Sequence, residues 1–120
     1  MSGGQTELGS YEFDSDLSLE QMHAALNAEG SRVWGMGDSY WYGDYLRTGT
    51  LGATQIRIIE HGAGMGYVGP RPPRPRYLIG IKWASSTTSE PPLADLDRII
   101  REQILPLVRA RDARVAISPF

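Results

Sequence analysis

Two segments with helical spacing bracket three with strand-like alternation, and that order limits the architecture more than any other feature of the chain. Leu19, Met22, Ala25 and Leu26 recur at helical spacing near the start. Leu93, Leu96, Ile99, Ile100, Gln103, Ile104, Leu107 and Val108 do so near the end. Each helix has one apolar stripe, so both can cover the same face of a sheet. Between them, Ser39–Arg47 is aromatic and strand-prone, Thr54–Glu60 alternates Ile56 and Ile58 with Arg57, and Arg76–Ala84 alternates Tyr77, Ile79, Ile81 and Trp83 with Leu78, Gly80 and Lys82. Tyr11–Asp14 and Arg114–Ser118 add a strand at either end. The predicted order is β-α-β-β-β-α-β. It reads as an α+β two-layer sandwich, a mainly antiparallel sheet of about five strands with two helices on one face, compatible with a ferredoxin-like variant.

Local signals fix some boundaries. Ser18 and Gln21 form an S-x-x-Q capping box flanked by a Leu17–Met22 staple, and Gly30 supplies a left-handed stop, so the first helix is expected at 19–29. Pro91-Pro92 suits the first turn of the second helix. Asp95 and Asp97 lie early in it and Arg109 and Arg111 late, as the helix dipole favours. Pro106 is expected to kink or tighten its last turns. Ser39–Arg47 is read as one long bent strand, because Thr48–Gly52 makes a better turn than Gly43-Asp44.

A chain of 120 residues fits one domain with one core. Residues 1–9, polar and Gly-rich, are expected to be a loose terminus, and residues 10–120 a single domain. Residues 62–75 hold four Gly and four Pro, too many flexible joints and missing donors for a ladder, so a long loop is expected there. No apolar run reaches the roughly 18 residues of a membrane span, and no secretory leader opens the chain, so a cytoplasmic protein without membrane contact is expected.

The chemistry-bearing motifs are sparse. There is no Cys and there are two His, with no zinc-binding or nucleophile-elbow pattern, so no metal, cofactor or catalytic residue is assigned and the reading leans away from an enzyme. Gly64–Gly69 matches G-x-G-x-x-G, but Pro70-Arg71-Pro72-Pro73 follows where a dinucleotide site needs a helix. His23 sits beside apolar helix residues and reads as a core-edge side chain.

Charge is uneven: residues 1–46 carry a net −7 and residues 47–120 a net +5. Such asymmetry can steer a charged partner, while a total of −2 argues against nucleic acid. Five of the eleven aromatics fall within residues 34–45. Two helices can cover only one sheet face, so some of these rings should be exposed, and Tyr and Trp dominate interface hot spots. The expected contact patch is Trp34, Asp38, Tyr40, Trp41, Tyr42, Asp44 and Tyr45, with the carboxylates pairing to basic groups of a partner. Arg71, Arg74 and Arg76, interleaved with prolines, form a second candidate contact. The profile resembles that of small bacterial antitoxin or immunity proteins, which implies a non-enzymatic module that blocks a cognate toxin. Two alternatives stay open. One is a ligand pocket or small active site with Asp38, Asp44, Glu60 and His61 beside the Gly/Pro loop; the other is a homodimer joined through a sheet edge.

Overall fold

The computed structural model describes residues 9–41, 43–49, 54–62, 64, 76–82 and 93–116. They form six strands and two helical units in the order β1 (Tyr11–Asp14), α1 (Leu19–Glu29), β2 (Gly35–Ser39), β3 (Gly43–Gly49), β4 (Gln55–Glu60), β5 (Arg76–Lys82), α2 (Leu93–Ile99), a π-helical segment (Ile100–Ile104), α3 (Leu105–Leu107) and β6 (Arg111–Val115). The sheet is antiparallel throughout, with strand order β2-β3-β4-β5-β1-β6. The chain leaves β1 through α1, crosses to the far edge, returns as a four-strand meander, and closes on the other side of β1. An α+β two-layer sandwich is what the helical stripes and alternating segments predict. No helix among the described residues is long and apolar enough to cross a membrane.

Register explains the core of the described residues. Ile56 opposes Ile81, Ile58 opposes Ile79 and Leu46 opposes Ile58, so these side chains share a face. Met22 and Leu26 of α1 and Leu96, Ile100, Ile104 and Leu105 of the second helical unit bury against that face. Phe13 and Tyr77, paired across β1 and β5, stack with ring centroids 5.7 Å apart. Each such side chain contributes roughly 1.5–3 kcal/mol by leaving water.

Helix α1 begins and ends as its capping residues dictate. The Gln21 amide donates to Ser18 Oγ at 3.2 Å, and the Ser18 amide donates to Gln21 Oε1 at 2.9 Å. Gly30 closes the helix at φ 89°.

Three expectations are corrected. Ser39–Arg47 is not one bent strand: β2 and β3 are the arms of a hairpin, which raises the strand count from about five to six. Gly43 adopts φ 74°, a conformation glycine takes without Cβ strain, and Ser39–Gly43 closes the tip. The last helix widens rather than tightens before Pro106. The Leu105 amide reaches back to the Ile100 carbonyl, a π-helical bond. That geometry relieves the clash between a proline ring and the carbonyl four residues earlier. Strand β6 starts at Arg111, before the predicted Arg114, because the helix stops early. Arg109 takes the left-handed conformation at φ 56° and donates to the Pro106 carbonyl at 3.1 Å, while the Ala110 amide reaches the Leu105 carbonyl at 3.0 Å.

Candidate functional site

The β2–β3 hairpin carries the expected patch, but it divides the patch residues. The side chain of Trp34 is 4% exposed and belongs to the core, so it is not available to a partner. Its backbone is pinned from α1: Asn27 accepts from the Trp34 amide at 2.8 Å, and Asn27 Nδ2 and His23 Nε2 donate to its carbonyl at 3.1 and 2.9 Å. His23 thus has the structural role its sequence context suggests. Tyr45 is also buried, at 8% exposure, on the face away from the helices. The Arg57 guanidinium sits 4.9 Å over its ring, and Arg57 Nε donates to Gln55 Oε1 at 2.9 Å. Neither Trp34 nor Tyr45 joins the surface expected of it.

Tyr40 and Trp41 do. They occupy the hairpin tip, 62% and 64% exposed, with their rings edge-to-face at 5.1 Å. The Trp41 amide donates to Ser39 Oγ at 3.1 Å, which fixes the turn beneath the ring. Tyr42, Arg71 and Arg74 lie outside the described residues.

Asp38 and Asp44 are directly opposed across the hairpin, on the helix-bearing side. Both are exposed and line an open cleft of about 550 Å³, together with Ser18, Leu19, Glu20, Met36, Gly43 and Glu60. Four carboxylates therefore face one concavity between the start of α1 and the end of the sheet. Burial, and then the negative charge of Glu60, push the Tyr77 hydroxyl above its ordinary range. That hydroxyl donates to the Leu17 carbonyl at 2.8 Å and holds the loop before α1 against the sheet. The cleft suits a cation borne on a flexible side chain, whose stem would lie on Met36 and Leu19. Glu20 and Met36 were missed in the sequence: their place here depends on the hairpin register and on the crossover that lays the start of α1 beside β2.

Arg76 is structural. Its guanidinium is mostly buried, with Nη1 at 2.5 Å from Asp14 Oδ1 and Nη2 at 3.3 Å from Glu12 Oε1. It lies on the face opposite the described helices, in a charged row with Glu12 and Arg114 (Arg114 Nε to Glu12 Oε1, 3.4 Å), away from the hairpin cleft. His61 belongs to this cluster, with Nδ1 3.9 Å from Glu12 Oε2, and not to the cleft that Glu60 lines. The four residues read as one pocket are thus split between two faces. No group of three or more His, Asp or Glu that could hold a metal ion occurs among the described residues.

A second buried charge ties Gly9 and Tyr11 to α2. Asp97, 5% exposed, accepts from the Gly9 amide at 3.0 Å, the Tyr11 hydroxyl at 2.5 Å and Arg101 Nε at 2.8 Å. Burial alone would raise its pKa, but the donors from Tyr11, Arg101 and Gly9 outweigh that and hold the carboxyl below its ordinary value. Burial, reinforced by the Asp97 carboxylate, pushes Tyr11 up to about 12.

Compared with protein-family models, with curated proteins and with solved structures, the chain matches none.

Proposed function

We propose that this chain is a non-catalytic protein-binding module of the cytoplasm, in its most concrete form an immunity- or antitoxin-type inhibitor that blocks a partner by occupying its working surface. One observation carries the reading: two adjacent aromatic rings, Tyr40 and Trp41, stand largely exposed at a hairpin tip whose arms present the opposed carboxylates of Asp38 and Asp44. Exposed rings of this size are the side chains that act as anchors in protein interfaces. Carboxylates beside them select a partner with Arg or Lys at the matching position and speed its approach.

The mechanism is steric. The rings enter a depression on the partner, and a basic side chain of the partner enters the acidic cleft. The Arg76 guanidinium is left out of this mechanism, since it is mostly buried and ion-paired with Asp14 and Glu12.

The test is affinity capture of the tagged chain from its native host, run beside a Tyr40→Ala/Trp41→Ala variant. A stoichiometric protein held by the native chain and lost from the folded variant is the expected result. Equal capture by both would sink the assignment of the rings.

A further inference from the structure

The two edges of the sheet are built differently. Strand β6 is guarded: it carries Arg111, Asp112 and Arg114, its pairing with β1 is irregular between Glu12 and Asp14, and Asp112 bends it at φ 54°. Charged residues and bulges are the usual means of keeping an edge from pairing with another chain. Strand β2 carries a single charge, Asp38, and no bulge. Its sequence is Gly-Met-Gly-Asp-Ser, without Lys, Arg or Pro, and its five residues pair with β3 in an unbroken register. Among the described residues, β3 is its one strand neighbour.

Exposed apolar side chains gather at the same edge. Among the described residues, the large hydrophobics Val33, Met36, Tyr40, Trp41 and Val115 are exposed, and the first four lie on β2 or immediately beside it. Val33 is 86% exposed. The edge also has a distinct charge on each face. Asp38 and its neighbours Asp44, Glu20 and Glu60 make the helix-bearing side acidic. Arg47, opposite Gly35, and Arg57, opposite Arg47, make the other side basic.

From these observations we infer that β2 is a docking edge for an extended segment of the partner, which joins the sheet as a seventh strand and carries Lys or Arg at alternate positions. The inference rests on the protein-binding reading above and specifies how the partner is held. Main-chain hydrogen bonds along β2 supply affinity, and alternate side chains supply selection. A basic residue on the helix-bearing side lays its stem on Met36 and places its charge among Asp38, Asp44, Glu20 and Glu60. A second copy of this chain fits poorly. Antiparallel pairing of two β2 strands keeps both helix-bearing faces on one side and sets acidic group against acidic group.

The probe is a capped seven-residue peptide alternating Lys and Val, titrated into the isotope-labelled full chain while backbone amide shifts and hydrogen exchange are followed. Two control peptides replace Lys with Glu, or N-methylate alternate amides. The expected result is slowed exchange at the alternate amides of residues 35–39 that face away from β3 with the Lys peptide, binding weaker by about tenfold or more with the Glu peptide, and no protection with the methylated one. Asp38→Asn should weaken the Lys peptide by about threefold. Shifts confined to the cleft with unchanged exchange along β2 overturn strand addition, as does the absence of binding. Concentration-dependent dimerisation that protects β2 without peptide assigns the edge to a second copy and also overturns it. If the captured native partner depends on Tyr40 and Trp41 but leaves β2 exchange unaltered, strand addition fails alone and the protein-binding reading stands.

Discussion

The ring of Tyr45 lies across the backbone of Gly37 on the adjacent strand. A Cβ on Gly37 would stand 2.5 Å from Tyr45 Cζ and 2.7 Å from its hydroxyl oxygen. Here a glycine that reads as a strand-breaker is the position that lets a strand form, because the neighbouring aromatic replaces the side chain it lacks. Gly37→Ala should lower stability by about 1–3 kcal/mol through overpacking. Tyr45→Ala should remove most of that penalty. Chemical denaturation of both single variants and the double variant measures the coupling. An additive pair would mean that the two residues do not meet in solution.

Asp14 and Arg76 form a buried pair whose two halves are unequal to replace. Removing the carboxylate with Asp14→Ala leaves a mostly buried guanidinium beside Glu12, at the longer distance of 3.3 Å. The expected cost is about 3–5 kcal/mol, the range for breaking a buried ion pair from one side. A loss below about 1 kcal/mol, read from urea midpoints at pH 7, would place Arg76 at the surface and reopen its role as a contact residue.

Asp97 and Tyr11 give the stability two pH limits. The folded chain holds the Asp97 carboxyl below its ordinary value, so the stabilisation is present above the unfolded pKa and disappears as pH falls through the folded one. Tyr11 behaves in the opposite sense. Its pKa rises from 10.0 to about 12 on folding, so its contribution holds below pH 10.0 and is lost as pH climbs toward 12. Asp97→Asn should flatten the acid side of the stability profile and return the Tyr11 phenol toward its ordinary pKa. Ultraviolet titration of the tyrosines, with Tyr11→Phe as reference, reads the second effect directly.

Arg109 closes the last helix in a conformation that costs an L-residue roughly 1–2 kcal/mol. Its side chain returns little: the contact with Asp16 spans 3.5 Å between two exposed groups. Arg109→Gly should therefore raise stability by about 0.5–1 kcal/mol after the greater freedom of glycine in the unfolded chain is counted. A lower thermal midpoint would show that the Asp16 contact outweighs the backbone strain.

What the sequence makes legible here is local. Ser18, Gln21 and Gly30 determine α1 to the residue because capping involves neighbours along the chain. The alternation of Tyr77, Ile79 and Ile81 marks a core face, since a strand's side-chain period is fixed by its backbone. The β2–β3 hairpin escapes such reading: Gly35 and Gly37 argue against a strand until the ring of Tyr45, eight residues past Gly37, is laid over one of them. Arg76 escapes for the same reason. Its partners at positions 12 and 14 become neighbours only when β1 pairs with β5. Asp38, Asp44 and Glu60 are legible as candidate pocket groups, but His61, read together with them, lies on the other face, and Glu20 joins the cleft through the crossover of α1. Trp34 shows the limit of composition. An aromatic-rich stretch was legible, but which rings face outward depended on the three hydrogen bonds that draw the Trp34 backbone to α1.

Tyr40 and Trp41 should be separable from the fold. Their rings touch each other edge-to-face and are more than half exposed, so replacing both with Ala removes little buried area. The expected change in stability is within about 0.5 kcal/mol, as for surface substitutions remote from caps and core. Partner affinity should fall by more than about 2 kcal/mol, roughly thirtyfold, if the rings are anchors. The pattern of equal fold and lost binding is what distinguishes an interface anchor from a packing residue. Calorimetry with the captured partner, beside thermal melts of the variant alone, measures both quantities. A variant that binds as tightly as the native chain would move the interface away from the hairpin tip. A variant that melts several degrees lower would show that the two rings brace the turn and that their exposure is incidental to recognition.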